Sequence, residues 1–344
     1  MREPSTMKIA TVGLDLAKNV FQLHAVDADG RVVVRRRLRR SEVIKTFTGA
    51  PPCLVGMEAC AGAHHWARLL TSLGHEVRLM PPAYVKAYVR RQKNDMADAA
   101  AICEAVTRPS MRFVPIKSEE QQSLLLVHRA RDLLVRQGTS LINALRAHLA
   151  EFGVVLPKGA PHGRRLASML IDGETFGLPA SAAPALQMLA RQCQALSGQI
   201  ADLERELRQR SLQDEATRRL LQVPGIGPIT ATALSATVVD PTSFKSAREF
   251  AAWIGLVPRQ HSSGGHERLG RITKMGHAYL RRLLISGAQA VLLQAARNPA
   301  ATSPWLERLL REKPRKIVAV ALANKTARIV WALLARGEAY RLAA

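Results

Sequence analysis

The first eighty residues alternate short apolar runs with polar turns at the period of β-structure. Ile9–Leu14 is apolar. Asn19–Val26 sets Val20, Gln22, His24 and Val26 against Phe21, Leu23 and Ala25, the two-residue period of a strand with unlike faces. Asp29-Gly30 is a hairpin pair, after which Arg31–Arg40 returns as a Val-rich strand ending in arginines. Ser41–Thr48 then reads as helix, Cys53–Glu58 as strand and Ala63–Gly74 as helix. His75–Met80 is a strand stopped by Pro81-Pro82, and Tyr84–Arg91 and Asp95–Thr107 follow as helical stretches.

Three strands joined by hairpins, then helix and strand in alternation, is the RNase H-like order. The hairpins argue against an all-parallel dinucleotide-binding sheet, and no G-x-G-x-x-G follows the first strand. From Ser118 to Phe152 the period lengthens to that of a helix. Leu125, Leu133, Leu134, Leu141, Ile142, Leu145 and Leu149 recur at three- and four-residue steps among arginines. Pro157–Pro179, rich in Gly and Pro, breaks this helix. A second helix, Ala185–Arg210, carries Leu186, Leu189, Leu196, Ile200, Leu203 and Leu207. Two such helices joined by a loop predict an antiparallel hairpin or coiled-coil arm, serving as spacer or as dimer contact. Beyond Leu220 the chain reads as a compact helical domain. In it Val223-Pro-Gly-Ile-Gly-Pro228 has the helix-hairpin-helix pattern, with Gly225 and Gly227 allowing a tight turn and a helix N-terminus able to take a phosphate.

Charge points to a partner. The 344 residues hold 50 Lys+Arg against 27 Asp+Glu, a net charge of +23, which attracts polyanions without dictating a fold. At 47% hydrophobic the chain can bury a core, and at 4% aromatic it has little for stacking on single strands. Backbone phosphates are the expected contacts. The last 86 residues carry 16 Lys+Arg and 4 Asp+Glu, among them Arg259, Arg268, Arg271, Lys274, Arg281 and Arg282. No run of about 18 apolar residues suggests a membrane span. The cysteines (Cys53, Cys60, Cys103, Cys193) lack metal-ligand spacing, and the protein is expected to be soluble, reduced and cytoplasmic.

Four carboxylates carry the chemistry. Asp15 ends the first strand, Glu58 ends the fourth, and Asp95 and Asp98 open a helix. In an RNase H-like sheet the first and fourth strands are neighbours, so Asp15 and Glu58 meet at its centre and the helix brings Asp95 and Asp98 to them. Such hard oxygen ligands suit Mg²⁺. The adjacent His64 and His65 point apart on a helix and do not form a ligand pair. A second candidate is Arg259-Gln-His-Ser-Ser-Gly-Gly-His266. Its hydroxyls, Ser262 and Ser263, lie among arginines that cannot act as bases, and a serine needs activation from elsewhere.

Gly13-Leu-Asp-Leu-Ala-Lys18, Met57-Glu-Ala-Cys60, Lys93-Asn-Asp-Met-Ala-Asp98, Val223-Pro-Gly-Ile-Gly227, Gly255-Leu-Val-Pro-Arg-Gln-His-Ser-Ser-Gly-Gly265, Arg271-Ile-Thr-Lys-Met-Gly-His277 and Leu280-Arg-Arg-Leu-Leu284 occur in that order. Over nearly its whole length the chain so resembles the DEDD-type insertion-sequence transposases, the bridge-RNA-guided recombinases. The resemblance implies a RuvC-like domain (1–112), a coiled-coil arm (113–215) and a C-terminal transposase domain (216–344). It also implies four acids, Asp15, Glu58, Asp95 and Asp98, holding Mg²⁺, and a catalytic serine that forms a phosphoserine–DNA intermediate. Counting from Gly255-Leu-Val-Pro places that serine at Ser263, and counting back from Arg271-Ile-Thr-Lys places it at Ser262. Donor and target DNA, a guide RNA and a homodimer or homotetramer are the implied partners. Two other functions fit the residues: a metal-dependent junction resolvase in which water attacks, and a non-catalytic nucleic-acid scaffold.

Overall fold

A computed structural model describes residues 9–89, 95–261 and 268–341. The chain divides into two compact units, 1–122 and 123–344.

The first unit is built on a mixed five-stranded sheet. Its strands are β1 (Thr11–Asp15), β2 (Val20–Val26), β3 (Val32–Arg39), β4 (Leu54–Glu58) and β5 (Glu76–Met80), in the order β3-β2-β1-β4-β5. β1 is antiparallel to β2 and parallel to β4, as the expected pairing of first and fourth strands requires. β2–β3 is antiparallel and β4–β5 parallel. One face carries Val12, Leu14, Phe21, Leu23, Leu38, Val55 and Met57. It packs on α1 (Val43–Thr48) and α2 (Ala63–Ser72) through Val43, Phe47, Trp66 and Leu70. Each buried leucine or phenylalanine here is worth roughly 1.5–3 kcal/mol of transfer free energy. After α3 (Pro82–Val85) the chain reaches α4 (Asp95–Ala105), which lies on the opposite face over β1, β2 and β4.

Two glycines set how close α4 comes. A Cβ on Gly13 would stand 2.1 Å from the Ala99 carbonyl oxygen and 2.5 Å from the Cys103 amide nitrogen, and one on Gly56 would stand 2.7 Å from Val106 Cβ. Any side chain at Gly13 displaces backbone, which a packed interior resists.

The second unit is almost wholly helical. It comprises α5 (Glu119–Ala150, whose first turn belongs to the first unit), α6 (Ala160–Ile171), α7 (Ala183–Gln213), α8 (Glu215–Leu221), α9 (Pro228–Thr237), α10 (Ala247–Ile254), α11 (Ala278–Arg297), α12 (Pro304–Glu312) and α13 (Arg315–Arg336). Arg131 on α5 pairs with Glu204 on α7 at 2.6 Å, while Leu145 and Leu149 pack with Leu186, Ala190 and Cys193. The two long helices therefore run antiparallel. The Gly/Pro-rich stretch between them is not simply a loop. Pro161 occupies the first turn of α6, where a missing N–H costs nothing, and Leu166, Ala167 and Leu170 bury against α5 and α7. Gly163 admits Ile142, whose Cγ2 would lie 2.6 Å from an added Cβ. The breakers are there for helix initiation and close packing.

The C-terminal core joins α8 through α11 with α13 through Leu220, Leu234, Phe250, Ile254, Leu284, Ala327 and Val330. It also holds a feature absent from the helical reading, a two-stranded ribbon of β6 (Pro258–Gln260) and β7 (Leu269–Ile272). Nor is the absence of an apolar run upheld, since α13 is long and apolar enough to cross a membrane by length and composition. Val318, Ala323, Ala327 and Val330 are buried against the unit's other helices, so it serves here as a core helix. Among the cysteines Cys53, Cys103 and Cys193 are buried and Cys60 is exposed, all as free thiols.

His128 ties α5 to α9 and α11 in this core. Its Nε2 lies 3.1 Å from Thr232 Oγ1 and its Nδ1 3.1 Å from the Tyr279 hydroxyl. Thr232 donates to the Pro228 carbonyl at 2.7 Å. The ring therefore donates from Nε2 to Thr232 and accepts at Nδ1 from Tyr279, a neutral tautomer. Burial, then the charge of Arg131, pushes His128 down to about 4.

Two predictions follow from this packing. Gly13→Ala should destabilise the first unit by about 1–3 kcal/mol through overpacking. Gly138→Ala and Gly198→Ala, in helix interiors where an added Cβ meets nothing within 4 Å, should each stabilise by about 1 kcal/mol. Urea unfolding of the three variants reads both signs. His128 supplies the second prediction. Its unfolded form takes up a proton below about pH 6.5 while the folded form resists to about 4, so stability is full above 6.5 and falls towards pH 4. The loss from this one group is about 2–3 kcal/mol between pH 7 and 4.5. His128→Gln keeps a donor and an acceptor but cannot titrate, so its stability should fall less than wild type over that interval.

Candidate active site and nucleic-acid surfaces

Register places the first two acids. Gly13 pairs with Gly56 across β1 and β4, so Asp15 and Glu58, two residues further along each strand, leave the sheet on the same face. That face is the one α4 covers. With Ala99 and Cys103 seated over Gly13, Asp98 lies at the end of the helix nearest the strand ends. Asp15, Glu58 and Asp98 are each half-buried. Asp95 begins α4, and its side chain lies outside the described residues.

The electrostatics show that these carboxylates feel one another. Burial pushes the Glu58 carboxyl above its ordinary range, and the negative charges of Asp15 and Asp98 push it higher. Burial likewise raises the Cys60 thiol, with the charges of Asp15 and Glu58 adding to it against a backbone hydrogen bond. Like charges crowded at a strand end form a site that a cation stabilises. Among the described residues no three His, Cys, Asp or Glu side chains stand close enough to form a closed metal shell. A divalent ion that keeps several waters needs only a few protein oxygens, and the donor set of hard carboxylates fits such an ion.

Sequence reasoning passed over the neutral strip beside the acids. On β2, Gln22 pairs with Asp15 and His24 with Gly13. Burial, then the charge of Arg35, lowers the pKa of His24, so a neutral imidazole lines this face. His64 contacts the amide of Lys117 at 3.2 Å, in keeping with a packing role and not with a ligand pair.

In the second unit the ribbon carries Arg259, Arg268 and Arg271, with Lys274 just beyond it, all exposed. Ser262 and Ser263, between the two strands, lie outside the described residues. Arg259 donates to the Thr273 carbonyl at 3.2 Å. Arg281 has a different task from the expected nucleic-acid contact: its Nη1 donates to the carbonyls of Ile254 and Met275 at 2.7 and 2.9 Å, holding the end of α10 to the loop before α11. Nothing in its sequence neighbourhood distinguishes it from Arg282, which is exposed, pairs with Asp132 and lies over the Tyr279 ring at 5.3 Å.

The turn between α8 and α9 has two glycines with different roles. Gly225 (φ +87°) packs against the backbone of α11, where a Cβ on Gly287 would lie 1.9 Å from the Gly225 carbonyl oxygen. Gly227 caps α9 and meets nothing, and it opens onto a cavity of about 620 Å³ lined also by Arg131, Arg136, Tyr279 and Arg282. Backbone N–H groups of a helix's first turn beside arginines suit an anion.

Comparison with known proteins accounts for both regions. A DEDD transposase model of the IS110 kind matches residues 12–153, the stretch holding Asp15, Glu58, Asp95 and Asp98. A second model, described as the transposase IS116/IS110/IS902 family, matches residues 217–303, the glycine turn and the ribbon. A probable family 20 transposase of Pseudomonas aeruginosa is 50% identical over 336 residues, covering 97% of this chain and 99% of the relative. The transposase for insertion sequence element IS1328 of Yersinia enterocolitica is 40% identical, covering 96% and 98% respectively. That for IS1111A of Coxiella burnetii is 40% identical, covering 100% and 94%. With the acid-bearing sheet, the basic ribbon and the full length all matched, the chain belongs to the IS110/IS116/IS902 family of insertion-sequence transposases, enzymes that cleave DNA and transfer its strands.

Proposed function

We propose that this transposase cuts and rejoins DNA with a serine nucleophile, Ser262 or Ser263, assisted by a divalent cation, and takes its site choice from a guide RNA. The observation that carries the metal-assisted reading is the convergence of Asp15, Glu58 and Asp98 on one sheet face, where their charges oppose ionisation of Glu58. The 3-2-1-4-5 strand order supports an RNase H-like, RuvC-like identity for the first unit. Asp15, Glu58, Asp95 and Asp98 would hold Mg²⁺, which when bound supplies positive charge to the scissile phosphate. The serine Oγ attacks phosphorus, the bond to the leaving strand's sugar oxygen breaks, and that oxygen takes up a proton. The resulting phosphoserine ester is undone when the hydroxyl of a partner strand attacks the same phosphorus and the serine leaves. The exposed Arg259, Arg268, Arg271 and Lys274, which flank the serine segment in sequence, are suited to meeting phosphoryl charge. The glycine turn, read as a helix-hairpin-helix, binds nucleic-acid backbone with Arg282. Strand exchange calls for several active sites, so we read the protein as a cytoplasmic homodimer or homotetramer acting on donor and target DNA.

Asp15→Ala and Asp98→Ala should each lower strand transfer roughly a hundredfold or more while leaving DNA binding largely intact. Ser262→Ala and Ser263→Ala should separate, one abolishing a denaturant-stable protein–DNA adduct and the other retaining it. Full strand transfer by the Ser262→Ala/Ser263→Ala double variant would return the reading to a water-attacking resolvase.

Guide dependence is tested separately. Backbone contacts carry no direct sequence information, so RNA-free protein should bind DNA weakly and with steep salt dependence, without site-specific recombination. Restoring the element's non-coding RNA should restore recombination, and altered guide bases should redirect it. Efficient site-specific recombination by RNA-free protein would refute guidance.

A further inference from the structure

The run Arg35-Arg-Arg-Leu-Arg-Arg40 forms the outer part of β3, the edge strand of the first unit's sheet. Strand pairing sorts its arginines by face. Leu38 is fully buried opposite Phe21 in the core, and Arg36, on the same side, approaches Glu42 at 4.0 Å. Arg35, Arg37 and Arg39 point to the other side. Arg35 pairs with His24, which pairs with Gly13, and Arg37 pairs with Gln22, which pairs with Asp15. The three arginines thus share a face with Asp15 and Glu58, and one cross-strand row runs Arg37, Gln22, Asp15.

Three properties make this row more than a charged edge. First, Arg35, Arg37 and Arg39 are exposed and make no ion pair with any described residue, whereas Arg31 at the hairpin pairs with Asp29 and Arg40 lies over the Trp66 ring. Second, the strip between them and the acids is neutral: Val20, Gln22 and His24 occupy this face of β2, so nothing there quenches the arginines. Third, alternate residues of a strand repeat every 6–7 Å or so, comparable with the spacing of successive phosphates along an extended polynucleotide strand. Protection of a sheet edge needs charge, but not three unpaired cations confined to the face that carries the acids.

We propose that Arg35, Arg37 and Arg39 form a phosphate-binding ladder that holds the backbone of the DNA strand to be cut on the sheet face bearing Asp15 and Glu58. The Asp15 end of the row lies two strands from the ladder, about 10 Å away between backbones. That distance lets a phosphate beyond those gripped by the arginines reach the carboxylates. The ladder is a positioning surface and takes no part in bond making. The inference rests on reading the acids as the site of strand cleavage.

The test uses the full chain with Arg35, Arg37 and Arg39 all changed to Gln, the corresponding Lys triple, and Arg31→Gln as control. The probe is a labelled DNA duplex carrying an end of the element, titrated between roughly 50 and 200 mM salt. The Gln triple should lose about tenfold or more in affinity at the lower salt, with the slope of log K against log salt shallower by about 2–3. Its cleavage should fall at limiting DNA and recover at saturating DNA. The Lys triple should keep most of the slope, and Arg31→Gln should match wild type. Unchanged affinity and slope in the Gln triple overturn the ladder. Loss of affinity for the element's RNA with DNA binding intact also overturns it, by assigning the surface to RNA. The reading of the acids fails by a different result, wild-type cleavage by Asp15→Ala, which leaves the salt slopes of the arginine variants untouched.

Discussion

The contact of α4 with Gly13 and Gly56 is the constraint on which the first unit's site depends. A helix can rest backbone to backbone on a sheet only where the strands offer no side chain, and these two glycines stand side by side on β1 and β4. Their absent Cβ atoms seat Ala99, Cys103 and Val106 directly on the sheet. The helix start is thereby carried to the ends of the strands holding Asp15 and Glu58. A larger residue at either glycine would lift α4, and with it Asp98, so the packing and the chemistry of this face are set together.

The same device recurs in the second unit. Gly225 and Gly287 bring a turn and a helix into backbone contact, fixing α9 against α11 and leaving Gly227 open to the arginine-lined cavity. His128 completes the junction by bridging α9 and α11 from α5 in its neutral form. A charged imidazole there would face Arg131 in a buried setting, so the bridge also makes the unit sensitive to acid.

A chain with a net charge of +23 has few negative charges to spare, yet it gathers carboxylates at one point against their mutual repulsion. That concentration costs stability unless something offsets it, and a cation with a phosphate does so. The unpaired arginines of β3 stand across a neutral strip from this point, which keeps them from neutralising the acids while leaving both within reach of one polynucleotide strand. Charge is thus divided by strand register, not by sequence distance: Arg36 and Arg37 are neighbours in the chain and face opposite sides of the sheet.

Much of this was legible in the residues. Two-residue alternation gave the hairpin strands, because a sheet with one buried face imposes that period, and leucine spacing gave the long antiparallel helices for the corresponding reason at the helical period. Asp15, Glu58 and Asp98 could be picked out because strand ends and helix starts are local features that topology then unites. Other features were not local. Helix α6 was hidden by the glycine and proline that start it and let it pack on Ile142, and the β6–β7 ribbon was hidden in a helical context. Whether an arginine meets solvent or a carbonyl, as Arg282 and Arg281 do, depends on what the fold brings against it. Sequence alone determined the elements, the family pattern and the identity of the acids, since these follow from period and order along the chain. Tertiary structure alone decided which glycines bear the close approaches and which arginines share a face with the acids, because both depend on residues distant in sequence being brought to one place.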